Sequence, residues 1–256
     1  MIPFPYRDEN PSPSSHQFLI PLIAVNVLVF ASEYLGPLRP PELFRVWGFL
    51  PSNPEPWRWL TSQFLHSGVM HIAGNMWFLW LFGDNVEGRL RERFVPFYLF
   101  CGMGANLFDL VFRAGSDVPA VGASGAISGV LGAYFVLFPH ARLQCVIMLF
   151  FRLIRFSMPA WGFGTLYVGV QVLMTFLSPA GGVAYAAHLG GAVFGAAIAF
   201  LFLGASPVEA IGTSGPAGEP PPPPEDGLPD IRLRLPGRAN RPPAASPVAG
   251  TPRPAA

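Results

Sequence analysis

Gly122-Ala123-Ser124-Gly125-Ala126-Ile127-Ser128-Gly129-Val130-Leu131-Gly132 opens an apolar run that ends near Pro139. A serine flanked by glycines stands at the mouth of a membrane-like helix. Gly125 and Gly129 are four residues apart, and Gly132 and Ala133 follow. That spacing lets another helix backbone approach closely in lipid. About sixty residues on comes a matching stretch, Ala187-His188-Leu189-Gly190-Gly191-Ala192-Val193-Phe194-Gly195, with small residues at Ala187, Gly191 and Gly195. One stretch offers a hydroxyl and the other an imidazole. Packed together inside a membrane, they have the makings of nucleophilic catalysis.

The setting is apolar throughout. Of 256 residues, 51% are hydrophobic and only 12% charged, with a mean hydropathy of +0.41. Soluble domains carry roughly 25% charged residues, so the chain is expected to be an integral membrane protein. A net charge of +1 without a basic patch speaks against nucleic acid. Two cysteines, Cys101 and Cys145, lie in or beside apolar runs, which disfavours a disulfide framework or a cysteine metal site. No metal and no organic cofactor are expected.

A helix needs about 20 apolar residues to span hydrocarbon. Six runs are read as spans: 18–35, 69–82, 95–112, 124–138, 160–177 and 183–203. The expected fold is therefore an all-α, six-span bundle over residues 18–205. A cytoplasmic segment precedes it at 1–17, and a long outer loop lies at 36–68. The N-terminus lacks the progression of a signal peptide. Leu143 to Phe156 is apolar but broken by Arg152 and Arg155, and is read as an interfacial segment or part of a span. From Ser206 to Ala256 proline, glycine and alanine dominate, with an unbroken run from Pro220 to Pro224. Such a tail cannot bury enough apolar surface to fold. It is read as a disordered cytoplasmic extension; a proline-recognising partner is the less favoured alternative to plain solubilisation.

Every basic residue apart from histidine is arginine. Arg89, Arg91 and Arg93 lie between the second and third runs, Arg142, Arg152 and Arg155 between the fourth and fifth, and five more in the tail. The positive-inside bias puts both termini in the cytoplasm. Ser124 and His188 then fall at similar depth, near the outer surface. His71 and Asn75 are four apart on the second run, so they share a helix face at the same end. Taken alone, each polar residue has a plainer reading. His71, Asn75 and His188 would be interhelical hydrogen-bond partners, and Ser124 would bond back to the preceding turn. Together they supply a nucleophile, a base and oxyanion donors.

At this point the chain resembles the rhomboid intramembrane serine proteases, over roughly Arg7 to Leu203. G-A-S-G at Gly122–Gly125, A-H-L-G-G-A-V-F-G at Ala187–Gly195, H-I-A-G-N at His71–Asn75 and the Trp57-Arg58 pair carry the resemblance. R-D-E-N-P at Arg7–Pro11 and G-D-N-V-E at Gly83–Glu87 look like bacterial members, which implies a bacterial inner membrane. The resemblance implies a Ser–His dyad, with Ser124 as nucleophile and His188 as base and then acid. The oxyanion would be held by His71, Asn75 and the Ser124 N–H. Trp57 and Arg58 would brace the outer loop. Gly122, Gly125, Gly191 and Gly195 would shape the cavity and the helix contact. Substrates would be transmembrane proteins cut in or near their spans, reached through the lipid bilayer. The competing reading is a non-catalytic relative that binds client spans. One departure stands out. Many members carry a tyrosine four residues after the serine, stacked on the histidine; here that residue is Ser128, which shares the face of Ser124 and would shape the substrate cavity or, as the less favoured alternative, bond the imidazole. Asp109, in the third run, is expected to pack within the bundle or face its rim rather than complete a triad.

Overall fold

The computed structural model describes residues 3–10, 14–177 and 184–203, all inside one compact unit from Met1 to Ile211. The expected proline-rich tail, Pro11 and the boundary at 205 lie outside the described residues. Six apolar helices form the body: α1 (Leu19–Leu35), α4 (Val69–Leu90), α5 (Phe94–Phe112), α6 (Ser124–Leu137), α7 (Ala160–Leu177) and α8 (Tyr185–Ile198). Short helices α2 (Pro40–Trp47) and α3 (Arg58–Thr61) fold the loop between α1 and α4. Among the described residues three helical stretches are long and apolar enough to cross a membrane: Val69–Phe112, which holds α4 and α5 in succession, Ala160–Leu177 and Tyr185–Leu203. α1 and α6 are apolar but shorter.

α4 runs eight residues past the expected end at Phe82, because the polar residues after it are buried against the N-terminal segment. α6 is enclosed on all sides, with every residue from Gly125 to Tyr134 buried. A helix that is apolar all round belongs in the centre of a bundle. Its small residues set how close its neighbours come. A Cβ on Gly191 would sit 1.9 Å from the Gly125 carbonyl oxygen, and one on Gly195 1.9 Å from that of Gly129. A Cβ on Gly132 would lie 2.1 Å from the Ala192 oxygen. α6 and α8 therefore touch backbone to backbone over about two turns.

The all-α expectation fails at one edge. β1 (Phe4–Asp8), β2 (Arg142–Leu149) and β3 (Arg152–Pro159) form an antiparallel sheet in the order β1-β2-β3. Leu143–Phe156 is thus mostly hairpin rather than part of a helical span. The physical reason is visible in β2, where Leu143 and Cys145 are buried and Arg142 and Gln144 are not, an alternation of period two. Leu149 pairs with Arg152, leaving Phe150 and Phe151 as a two-residue turn with φ of +45° and +65°. Both signs are those of a type I′ turn, which normally takes Asn-Gly.

β1 ties this sheet to the bundle, and two of the quoted motifs meet there. The Asn85 side chain of α4 donates to Asp8 (3.0 Å), and the Asn10 side chain donates to the Asn85 side-chain oxygen (2.9 Å). The Tyr134 hydroxyl of α6 donates to the same Asp8 oxygen (2.6 Å). Glu87 accepts from the Ser14 hydroxyl (2.6 Å) and the Phe18 N–H (2.8 Å). Burial pushes the Asp8 carboxyl up to about 6, against the opposing bonds from Tyr134 and the Asn10 N–H.

Candidate active site

Ser124 is the first residue of α6. It is delivered by Gly122, whose φ of +131° only glycine adopts easily and whose N–H is held by the Ser62 carbonyl at 2.9 Å. His188 lies in the first turn of α8. Because α6 and α8 touch through their glycines, both side chains reach the same space. Ser124 Oγ and His188 Nε2 are 2.8 Å apart, a hydrogen bond. The other ring nitrogen, Nδ1, faces the Gln171 side-chain oxygen of α7 at 3.1 Å.

His71 approaches from the first turn of α4. Its Nδ1 is 3.3 Å from the Ser67 backbone N–H and 3.0 Å from the Ser67 hydroxyl. A backbone N–H can only donate, so Nδ1 accepts and the ring proton sits on Nε2. That nitrogen lies beside Gly122. A Cβ on Gly122 would meet His71 Nε2 at 2.8 Å and Ser124 Oγ at 3.6 Å. The glycine therefore keeps open a small space bordered by an N–H donor and the serine hydroxyl. One turn along α4, Asn75 is 8% exposed, and its Nδ2 is buried with no hydrogen-bond partner among the described residues. A buried amide donor left idle costs stability, and acceptors arriving with a ligand would relieve it. A cavity of about 20 Å³ adjoins Ser124, bordered by Ser62, Gln63 and Asn106. That is room for roughly one water.

The turn preceding α4 is fixed from α1. Glu33, 1% exposed, accepts the His66 N–H at 2.9 Å. The His66 ring gives its Nδ1 proton to the Phe64 carbonyl (3.1 Å) and packs edge-on against His71, 5.2 Å between centroids. Burial, and then the neighbouring His71, pull the His66 ring down to about 4, so it is neutral at physiological pH.

Trp57 and Arg58 stand away from this cluster. Arg58 is 8% exposed and donates to the Gly48 carbonyl at 3.3 Å, while the Trp57 carbonyl accepts from the Thr61 hydroxyl at 3.0 Å. Both bonds stay within the loop at 36–68. Ser128 does not bond the imidazole. Its hydroxyl donates back to the Ser124 carbonyl (2.7 Å) and meets the Tyr167 hydroxyl of α7 (2.6 Å). Asp109 is fully buried in an ion pair with Arg113, one turn along α5. Among the described residues no three His, Cys, Asp or Glu side chains gather as a metal site. Gln171, Tyr167 and Ser67 were not anticipated from the chain alone. Gln171 had a signal: a glutamine inside an apolar 18-residue helix is costly in lipid and marks a partner.

A profile of the rhomboid domain matches residues 53–205. The human presenilin-associated rhomboid-like protein, mitochondrial, is 33% identical over 184 residues, covering 68% of this chain and 45% of that protein. Rhomboid protein 1, mitochondrial, of Saccharomyces cerevisiae is 33% identical over 148 residues, 52% of this chain and 38% of its own. Rhomboid protease GluP of Bacillus subtilis is 44% identical over 80 residues, 31% of this chain and 15% of its own. The chain spans less than half the length of these relatives. They come from mitochondria and from a bacterium, so the bacterial type expected from Arg7–Pro11 and Gly83–Glu87 is not singled out.

Proposed function

Because the chain belongs to the rhomboid family, we propose that it is an intramembrane serine endopeptidase that cuts transmembrane proteins in or near their spans. One contact carries the proposal, the 2.8 Å bond between Ser124 Oγ and His188 Nε2. As a substrate carbonyl approaches, Ser124 Oγ bonds to its carbon and His188 Nε2 takes the hydroxyl proton. Charge moves onto the carbonyl oxygen, which the His71 Nε2–H, the Asn75 amide and the Ser124 N–H hold. The tetrahedral species collapses, His188 returns the proton to the leaving amine, and the C–N bond breaks. Water then attacks the ester with His188 again as base, releasing the acid and restoring Ser124.

The proposal includes the topology. Six helices, α1 and α4 to α8, cross the bilayer, with both termini on the side that carries the Arg89–Arg93 and Arg142–Arg155 clusters. The loop at 36–68 and the site lie on the opposite side. A substrate helix must open locally, since its carbonyls are otherwise held in its own hydrogen bonds.

The test compares wild type, Ser124→Ala and His188→Ala on a fluorescently tagged membrane span in liposomes. Loss of cleavage by at least about 10³-fold in both variants is expected. Equal cleavage by all three would rule the mechanism out. His71→Ala and Asn75→Ala should each lower kcat by about 10²-fold.

A further inference from the structure

We propose that Gln171 is a positioning residue that completes a Ser124–His188–Gln171 triad, fixing the imidazole in the tautomer that can take the serine proton. The inference rests on the serine protease reading and extends it to α7.

The argument begins with what a histidine base needs. Nε2 must offer a lone pair to the Ser124 hydroxyl, so Nδ1 must carry the proton. That proton needs an acceptor, because an unpaired buried N–H is costly. Gln171 Oε1, 3.1 Å away, is such an acceptor. The reverse amide orientation would aim an N–H at Nδ1 and force the proton onto Nε2, leaving no lone pair for the serine. No described carboxylate bonds His188, and the buried Asp109 is committed to Arg113.

The pattern along α7 points the same way. Its buried residues form one stripe: Ala160, Phe163, Gly164, Gln171 and Thr175. The stripe is apolar where it begins and turns polar as it draws level with the catalytic pair. Gln171 is 5% exposed, while Leu173, Phe176 and Leu177 of the same helix are 53–69% exposed on the opposite flank. A polar side chain turned inward, on a helix with an apolar outer face, has a partner as its reason. One turn earlier on that face, Tyr167 reaches Ser128, which in turn bonds the Ser124 carbonyl. α7 thus braces the base through Gln171 and the nucleophile's backbone through Tyr167 and Ser128. An amide also suits the setting. It supplies the acceptor without burying a second charge in a low-dielectric site.

The experiment uses the full chain in liposomes and follows cleavage of the tagged span by wild type, Gln171→Met, Gln171→Glu, Tyr167→Phe and Ser124→Ala across pH 5 to 9. Gln171→Met keeps the shape and loses the oxygen. It should lower kcat by about 10²-fold with KM within about threefold, the scale of a misaligned catalytic group. Gln171→Glu restores an acceptor and should recover much of that loss. Its acid limb should move to higher pH, since a carboxylate beside an imidazole favours the protonated ring. Tyr167→Phe should leave the pH profile unshifted. Wild-type kcat in Gln171→Met would overturn the proposal. So would a Gln171→Glu variant as impaired as Gln171→Met with an unshifted profile. In either case, an inactive Ser124→Ala would leave the protease reading standing. Cleavage by Ser124→Ala would remove that reading itself.

Discussion

Gly191→Ala tests the link between helix packing and chemistry most directly. The added methyl would lie 1.9 Å from the Gly125 carbonyl oxygen and 3.3 Å from Ser128 Cβ. Real Cβ atoms essentially never come closer than 3.0 Å, so α8 must retreat by at least about 1.1 Å. The obstacle is backbone, not the end of a flexible side chain, and cannot swing aside. His188 sits three residues earlier on the same helix and moves with it. A retreat of that size stretches the 2.8 Å contact with Ser124 Oγ toward 4 Å, beyond hydrogen-bond range. Misplacement by 1 Å costs on the order of 10²-fold in rate. Overpacking should also lower stability by about 1–3 kcal/mol. Cleavage of the tagged span measures the first effect, and the thermal midpoint in detergent the second. Gly169→Ala on the exposed face of α7, where nothing lies within 4 Å of the new methyl, is the control and should be neutral or slightly stabilising. If Gly191→Ala keeps wild-type kcat and midpoint, the backbone contact between α6 and α8 is not what sets the spacing of serine and histidine.

Three further outcomes follow from the same geometry. Gly122→Ala puts a methyl 2.8 Å from His71 Nε2 at a φ of +131°, and should lower kcat by about 10²-fold in the same assay. Asp8 has a folded-state pKa near 6, above the ordinary 3.8. Its stabilising contribution is complete below about pH 4 and lost as pH rises through 6. The wild-type thermal midpoint should therefore fall between pH 5 and 7.5 relative to Asp8→Asn, and parallel curves would contradict this. Phe150→Asn combined with Phe151→Gly removes two side chains that are 88% and 100% exposed from a turn held at positive φ. It should gain on the order of 1–2 kcal/mol by denaturation in detergent; a loss would show that the two rings pack on something.

Features that depend on local spacing were the ones legible in the chain. Glycines four apart on two runs predicted that α6 and α8 would touch, and Ser124 and His188 sit at the ends of those runs. His71 and Asn75 required only one turn of helix. The hairpin was harder. Apolar residues with arginines among them fit a tilted helix as well as a strand, and the alternation of Leu143 and Cys145 is too short to decide. β1 had no signal of its own, since Phe4–Asp8 becomes a strand only by pairing with Val146 to Leu143, more than 130 residues away.

Gln171 shows the same limit at the site itself. Its helix was readable, and so was its cost in lipid. Its partner depends on how α7 is rotated against α8, across a connection that includes residues 178–183, and no spacing rule supplies that angle. The polar contacts at the two ends of α6 share this character. At one end Ser124 is met by His188 of α8 and Ser128 by Tyr167 of α7; ten residues on from Ser124, Tyr134 is met by Asp8 of β1 and so, through it, by Asn85 of α4. Between them the helix is buried and lined with glycine, which gives close contact but little to fix its rotation. The hydrogen bonds at its ends supply that restraint. If α7 braces His188 as proposed, residues as far apart in the chain as Asp8 and Gln171 bear on where one serine hydroxyl points.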